Sequence, residues 1–393
     1  MKKSFSFPKF IRSTYVAVNT IFVIWLLLCK WVSFHDPSNS PTSLSLISFT
    51  CLFAAFGNVA FIFLWLFTKK KLRALFSIIA IAICWSVCRP LIGLNYFGRN
   101  NISSAETTGL KVMTWNVHMF DLGEWTKDKA SKAKILKLIE DENPDILCLE
   151  EFYWDSKEPT EPYTDILQKL GYPYVKLVTE NINRKEMITS NASKTDMINV
   201  GHAIFSKYPL RNEQHYEIHS ENKKMLGVEV VVDSNNIFCL NVVHLTSVGF
   251  GRKEMDYISD VKQKGVEAQD EDQSKSLLKK LRNASASRAG LANKIDSFKK
   301  TMDYPVIICG DFNDVPGSYV YSKVKGDLRD AFVEKGAGLG RTYRNISPTL
   351  RIDYIFYDNE ALQIEGYNRP NVALSDHFPV IANFSLKKKT IKN

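Results

Sequence analysis

The sequence has no zinc-type cysteine spacing: none of its seven cysteines forms a CxxC pair or a Cys/His set at metal-finger distances. No disulfide framework is visible either. Cys29, Cys51, Cys84 and Cys88 lie in apolar stretches, and Cys148, Cys239 and Cys309 lie inside strand-like runs, where cysteine acts as a small buried hydrophobe. The glycines of a phosphate-binding P-loop are missing, as are those that would make Ser375 a nucleophile elbow, so neither chemistry is supported. The segment from Asp311 to Pro316 starts like a calcium loop but lacks glycine at its sixth position and glutamate at its twelfth. A basic surplus is missing too, once its location is considered. The formal charge of +9 is concentrated in residues 1–100, which hold eleven Lys/Arg against one acid, Asp36; the other 293 residues share 40 basic and 41 acidic side chains. A near-neutral domain can carry a local basic groove, but its net charge gives no support to nucleic-acid binding.

What the first hundred residues do have is apolar length. Three stretches, about 15–34, 44–67 and 74–97, each match the ~20 residues that cross a bilayer as a helix. A single cleaved leader would supply only one, and a buried hairpin in a soluble fold would not need three. Arg89 and Pro90 interrupt the third stretch and blur its end. Lys2, Lys3, Lys9 and Arg12 precede the first stretch, Lys69, Lys70, Lys71 and Arg73 separate the second from the third, and the loop around 35–42 has no Lys or Arg. The positive-inside rule then puts the N-terminus and the Lys69–Arg73 loop in the cytoplasm. Three crossings deliver everything after Phe97 to the other side, the periplasm or exterior of a bacterium. The expected organisation is a transmembrane anchor over 1–100, a linker over 101–109, a catalytic domain over 110–386 and a basic tail over 387–393. The bilayer is the expected partner of the anchor, and no protein partner is inferable.

From Leu110 the pattern changes to short β-branched runs separated by polar loops. Strands are expected at Lys111–Val117, Ile146–Glu150, Ala203–Ser206, Leu226–Val232, Ile237–His244, Pro305–Gly310, Ile352–Tyr357 and Val380–Phe384. Helical periodicity appears at Ser131–Glu140 and Leu277–Lys300. Strands interleaved with helices, several apolar on both faces, imply a sheet sandwich covered by helices. Glu180–Asn199 and Gly249–Ser285 are polar and charged and read as loops or partly ordered lids.

Polar groups recur at the strand ends: Asn116, Glu150 and Glu151, His244, Asp311 and Asn313, Asp353, and Asp376 with His377. Singly, each is a common turn or surface residue. Together they form an oxygen-rich set with two imidazoles, which suits a hard cation such as Mg²⁺ and the needs of phosphoryl chemistry.

The ordered segments Met113-Thr-Trp-Asn116, Asp145-Ile-Leu-Cys-Leu-Glu-Glu151, Gly201-His-Ala-Ile-Phe-Ser-Lys-Tyr-Pro209, Asn241-Val-Val-His-Leu245, Gly310-Asp-Phe-Asn-Asp-Val-Pro-Gly-Ser318, Arg351-Ile-Asp-Tyr-Ile355 and Ser375-Asp-His-Phe-Pro379 resemble the motif set of the endonuclease/exonuclease/phosphatase superfamily. The resemblance implies a four-layered α/β sandwich of two packed sheets, preceded here by three transmembrane helices. It implies metal binding by Glu151 with Asn116 and Asp376, and Mg²⁺ as the cofactor with Mn²⁺ as a substitute. It further implies catalytic roles for Asp311 (water), Asn313 (phosphate), His377 with Asp353, and His244 (phosphate or leaving group). His202 is an expected substrate contact, beside Asn313 and His244. Two departures stand out: Glu150 replaces the usual Gln before the metal-binding Glu, adding a charge, and Gly201-His202-Ala203 replaces a Gly-Asn-Ala type.

The implied activity is Mg²⁺-assisted attack of water on a phosphodiester, of a nucleic acid or a lipid head group. A phosphomonoesterase on inositol-like or small phosphorylated molecules is the alternative, and a binding module without turnover the third reading. The intact set Glu151, Asp311, Asn313 and His377 argues against the last.

Overall fold

The computed structural model describes residues 9–39, 42–96, 109–122, 130–154, 166, 169–184, 197–217, 224–265 and 270–387. The expected linker, apart from Gly109, and the expected tail, apart from Lys387, lie outside these residues.

The chain opens with α1 (Lys9–Phe34), a 3-10 segment (Thr42–Thr50) and α2 (Cys51–Leu66). It continues with α3 (Ala74–Ile83), one turn of helix, α4 (Trp85–Cys88), and a two-residue strand, β1 (Gly93–Leu94). Two helical segments, Ser13–Phe34 and Thr42–Leu66, are long and apolar enough to cross a membrane, with mean hydropathy 1.9 and 2.1. The third expected span departs from a straight helix: Lys71–Ile83 and Trp85–Leu91 are bent by 70°, and only the bent pair counted as one would make a third crossing. Pro90 has no N–H to continue a helix, Arg89 donates to the carbonyls of Ile92 and Val333, and β1 pairs with residues 337–338 of the following domain. The stretch therefore ends docked on the following domain. Within the bundle Asn19 bonds Ser77 at 2.7 Å and Trp65 at 2.7 Å, the kind of buried polar contact that joins helices in an apolar medium. The outer faces leave Ile21, Phe53, Phe63 and Phe76 exposed.

The second part holds two six-stranded mixed sheets. One contains β2 (Gly109–Asn116), β3 (Ile146–Trp154), β4 (Tyr174–Arg184), β5 (Met197–Ser206), β13 (Leu362–Asn368) and β14 (Val380–Leu386), in the order β13-β14-β2-β3-β5-β4. The other contains β6 (Leu210–Glu217), β7 (Lys224–Val231), β8 (Ile237–His244), β9 (Val306–Asp311), β10 (Arg329–Asp330) and β12 (Asp353–Tyr357), in the order β10-β12-β9-β8-β7-β6. The strand paired with β1 is β11 (Ala337–Gly338). Between the sheets lies an apolar core to which Val112, Cys148 and Ile204 contribute from one side and Leu240, Cys309 and Ile355 from the other. Burying each such aliphatic side chain contributes about 1.5–3 kcal/mol, which is why the register is held.

Helix α5 (Ser131–Glu142) covers the outer face of the first sheet with Ile135 and Ile139. The polar stretch 249–285, expected to be loop or lid, is largely helical: α6 (Arg252–Lys264) and the start of α7 (Glu271–Lys299). Asp270 caps α7 through the Gln273 amide at 2.9 Å, and a Glu271–Lys275 pair at 2.7 Å follows at helical spacing. Of the other polar insertion, β4 and β5 claim both ends, and 185–196 lie outside the described residues. Helix α7 packs Leu291 and Ile295 on the outer face of the second sheet, with Val324 of α8 (Tyr319–Lys325).

The N-terminal helices are docked on this sandwich. Asn293 of α7 donates to Asp36 at 2.6 Å, Arg282 to Thr42 at 3.1 Å, and Arg351 to the carbonyl of Pro90 at 2.9 Å. Gly317, at φ +86°, comes so close that a Cβ there would lie 3.2 Å from the Cys51 sulfur.

Candidate active site

Both sheets carry a parallel pair at their centre, β2/β3 in one and β8/β9 in the other. In register, Asn116 lies opposite Glu150, and His244 opposite Asp311. The carboxyl ends of four strands thus share one edge of the sandwich. Antiparallel β12 begins at that edge with Asp353 opposite Asp311, and β14 is entered there from Asp376-His377. The polar residues that the sequence scatters over 260 positions meet for this reason.

Glu151 reaches the edge through a local irregularity. The β3/β5 register shifts between Leu149 and Phe152, and Glu151 sits at φ +50°. Leu149 and Phe152 both face the outer core, so the extra residue of the bulge keeps Glu151 off that face, where strict alternation would have placed it. Asn116 joins the two sheets, its Nδ2 donating to Glu151 at 3.1 Å and to Asp311 at 3.3 Å.

Asp311 is fully buried. Burial pushes its carboxyl up, and the neighbouring His377 and His244 oppose the shift. Asn313, at φ +52°, donates its backbone N–H to Asp311 at 2.8 Å and its amide to Leu245 O at 3.0 Å. His377 is clasped through Nδ1 by both oxygens of Asp353 at 3.0 Å, while Nε2 points toward Asp311 at 3.6 Å. Burial works against a charged ring there, but Asp353 and Asp311 outweigh it and hold His377 well above the ordinary histidine range. Trp115 and Ser375 fix this loop: Trp115 Nε1 donates to His377 O at 3.0 Å, and Ser375 Oγ to Asn116 O at 2.8 Å. Asp376 stands 3.5 Å from His118 and 3.2 Å from the Ser375 hydroxyl. Burial disfavours its ionisation, and His377 and His118 reverse that, lowering its pKa.

Glu151 and Asp311 face one amide with no thiol in the set, a donor chemistry that fits a hard divalent cation. Asp311, Asp353 and His377 also bring ligand atoms within 4.8 Å of one another. In that trio both oxygens of Asp353 are already engaged with His377 Nδ1, a hydrogen-bonded pair.

Two expectations change. Glu150 does not face the cavity: it is fully buried, burial pushes its carboxyl well up, and Oε1 accepts from Thr114 at 2.7 Å. His202 is also fully buried, 3.3 Å from Glu180, and lines no part of the cavity, so the expected substrate contact is not available to it. Glu180 in turn stands 3.4 Å from His244 Nδ1, whose Nε2 is 3.7 Å from Glu151 and 3.8 Å from Asp311. Glu180 and Tyr343, whose ring centre lies 5.0 Å from that of His377, carry no motif of their own, and His118 follows the Met113–Asn116 segment without belonging to it.

A cavity of about 710 Å³ opens over Glu151, His244, Asp311, Asn313, Asp376 and His377. The sequence pattern of the Endonuclease/Exonuclease/phosphatase family matches residues 113–377, the span that builds this edge. The chain belongs to that family. It is therefore a hydrolase of phosphate ester bonds, and the enzymes of this family depend on a divalent metal. Residues 9–91 match a domain of unknown function, DUF8431. Among solved structures, the human nocturnin catalytic domain with bound sulfate is 20% identical, with 71% of this chain and 95% of that one covered and a TM-score of 0.50. An endonuclease/exonuclease/phosphatase from Beutenbergia cavernae is 19% identical over 71% and 72% of the two chains, TM-score 0.46. A family protein from Leptotrichia buccalis is 14% identical over 71% and 100%, TM-score 0.46. At this identity the likeness to the nocturnin domain is one of fold alone. No curated protein matches the chain.

Proposed function

We propose that this family enzyme is a phosphodiesterase that uses Mg²⁺, with Mn²⁺ able to replace it, and that its catalytic domain, about residues 110–386, is anchored to a membrane. The observation that carries the reading is the convergence of Glu151, Asn116, Asp311, His244 and the His377–Asp353 pair beneath one cavity. Glu151 and Asn116, with Asp376 at the rim, are the groups that would hold the metal. When bound, it supplies positive charge against the charge building on the phosphate oxygens.

The side chains divide the remaining work. Asp311 orients the attacking water and takes its proton; burial makes it a stronger base than an exposed aspartate. Asn313, immobilised on Asp311 and Leu245, holds a phosphate oxygen. His377, kept protonated by Asp353, donates from Nε2 to the oxygen that gains charge in the transition state. His244, backed by Glu180, delivers a proton to the leaving oxygen. One bond forms, from the water oxygen to phosphorus; one breaks, from phosphorus to the leaving oxygen, which departs as an alcohol.

The same reading assigns an inner-membrane, multi-pass topology with the N-terminus and the Lys69–Arg73 loop in the cytoplasm and the catalytic domain outside it. Two features support it: the flanking charges, and docking of the sandwich on Asp36 and Thr42, at the opposite end of the hairpin from Lys69–Arg73. The test of activity is Mg²⁺-dependent turnover by the full chain across DNA, RNA, sphingomyelin, phosphoinositides and bis-p-nitrophenyl phosphate. Release of inorganic phosphate from monoesters alone would replace the diesterase reading with the monoesterase one.

A further inference from the structure

The cavity over the site has two unlike walls. Its floor is the catalytic set. Its far wall is built by the anchor, through Leu46, Phe49, Leu52 and Phe53 of the 3-10 segment and α2, facing Leu277 and Leu281 of α7. Leu278, beside them on α7 and also part of the lining, is 48% exposed. Among the described residues, only it and Tyr174 are large hydrophobics left exposed on the catalytic domain. Among the described residues, no Lys or Arg lines the cavity.

Each feature bears on the substrate. A nucleic-acid backbone is held by Lys/Arg and by aromatic stacking along an open groove, and the described lining offers no cation for that affinity. An apolar wall next to a phosphate-ester site instead rewards burial of hydrocarbon. The wall is continuous with helices whose outer faces are apolar, and Phe53, 60% exposed, belongs both to the lining and to that outer surface.

We propose that the substrate is an amphiphilic, lipid-type phosphodiester whose phosphate sits at the Glu151–Asp311–His377 floor while its apolar chain lies along the wall shared by the anchor and α7. The anchor then does more than tether: it supplies one side of the binding site, and the lipid enters from the bilayer surface. This inference rests on the phosphodiesterase reading of the same site.

The test uses full-length protein in lipid nanodiscs with Mg²⁺ and a series of alkyl p-nitrophenyl phosphodiesters, methyl, butyl and octyl, each below its micelle concentration. The expected result is a rise in kcat/KM of about fourfold per buried methylene over the first carbons, and at least a hundredfold from methyl to octyl. Partition into the nanodisc is the same for every protein variant, so the octyl-to-methyl ratio isolates the wall. Leu277→Asn and Leu46→Asn, on the two sides of the cavity, should each reduce that ratio at least tenfold. A methyl ester that turns over with no chain-length dependence would overturn the lipid assignment and leave the phosphodiesterase standing. So would a ratio unchanged in both variants, or a single-stranded oligonucleotide cleaved faster than the octyl ester. No turnover of any ester would overturn the parent reading, and this inference with it.

Discussion

Arg351, fully buried, donates from Nη1 to Asp330 at 2.8 Å and from Nη2 to the carbonyl of Pro90 at 2.9 Å, so one guanidinium ties the end of the anchor to the strand that begins at Asp353. Its plane also lies against Phe332 and Tyr354, 4.5 and 4.6 Å from the ring centres. Arg351→Leu leaves the buried Asp330 carboxylate with the Tyr321 and Phe332 donors but no counter-charge, and should cost about 3–5 kcal/mol of stability. Arg351→Lys should recover only part, because an ammonium lacks the fork that serves both acceptors. Thermal melts of the two variants check this; an unchanged melting temperature in Arg351→Leu would dissolve the tie.

A second prediction concerns acid. Asp296 of α7 meets Lys300, Lys299 and Lys323 at 2.8, 3.2 and 3.2 Å. Burial opposes its ionisation, but the three lysines win and hold its pKa at about 2. A depressed carboxyl stabilises the fold above its unfolded pKa, roughly 3.9, and that contribution is lost as pH falls toward the folded value. Asp296→Asn should therefore cost about 1 kcal/mol at neutral pH, allowing for solvent screening of the exposed lysines, and the deficit should close between roughly pH 4 and 2. A deficit that stays constant with pH would show that packing, not charge, is what Asp296 contributes.

The imidazole is the third target. If His377 stabilises charge that builds only in the transition state, His377→Ala should lower kcat by about two or more orders of magnitude, or about 3 kcal/mol, with KM little changed. Asp353→Asn should lose less, and the double variant less than the sum, since the two side chains act as one unit. Melting temperature read on the same preparations separates catalysis from folding: a variant that melts early yet turns over normally would make the pair structural.

Topology has its own test. A reporter active only outside the cytoplasm should work when fused after Asn101 and fail when fused at Lys71. The opposite pattern would reverse the assigned orientation.

Much of the site was legible in the sequence because its residues follow strands whose apolar runs are unmistakable: Asn116 after Met113–Trp115, and Asp311 after Val306–Cys309. The shared edge was not legible, since it depends on β2/β3 and β8/β9 both pairing in parallel. Glu180 carries no local signal; only the pairing of β4 with β5 brings it under His244. Edge strand β6, Leu210–Glu217, is mostly exposed and shows no period-two pattern, so nothing in its sequence marks it. Helix α6 is polar enough to read as loop, and the third apolar stretch, though blurred by Arg89 and Pro90, reads as a span until its 70° bend and the β1–β11 pairing are seen in space.

Whether Glu151 is the metal-binding carboxylate of a phosphodiesterase site is read from a Mg²⁺ titration of bis-p-nitrophenyl phosphate hydrolysis. The full-length protein should show saturable Mg²⁺ dependence. Glu151→Gln should lose activity that no moderate Mg²⁺ excess restores, because a charged oxygen ligand becomes a weaker neutral one. Glu150→Gln, one residue away but buried and bonded to Thr114, should retain activity close to that of the unaltered protein. Full activity of Glu151→Gln at low Mg²⁺ would contradict the account.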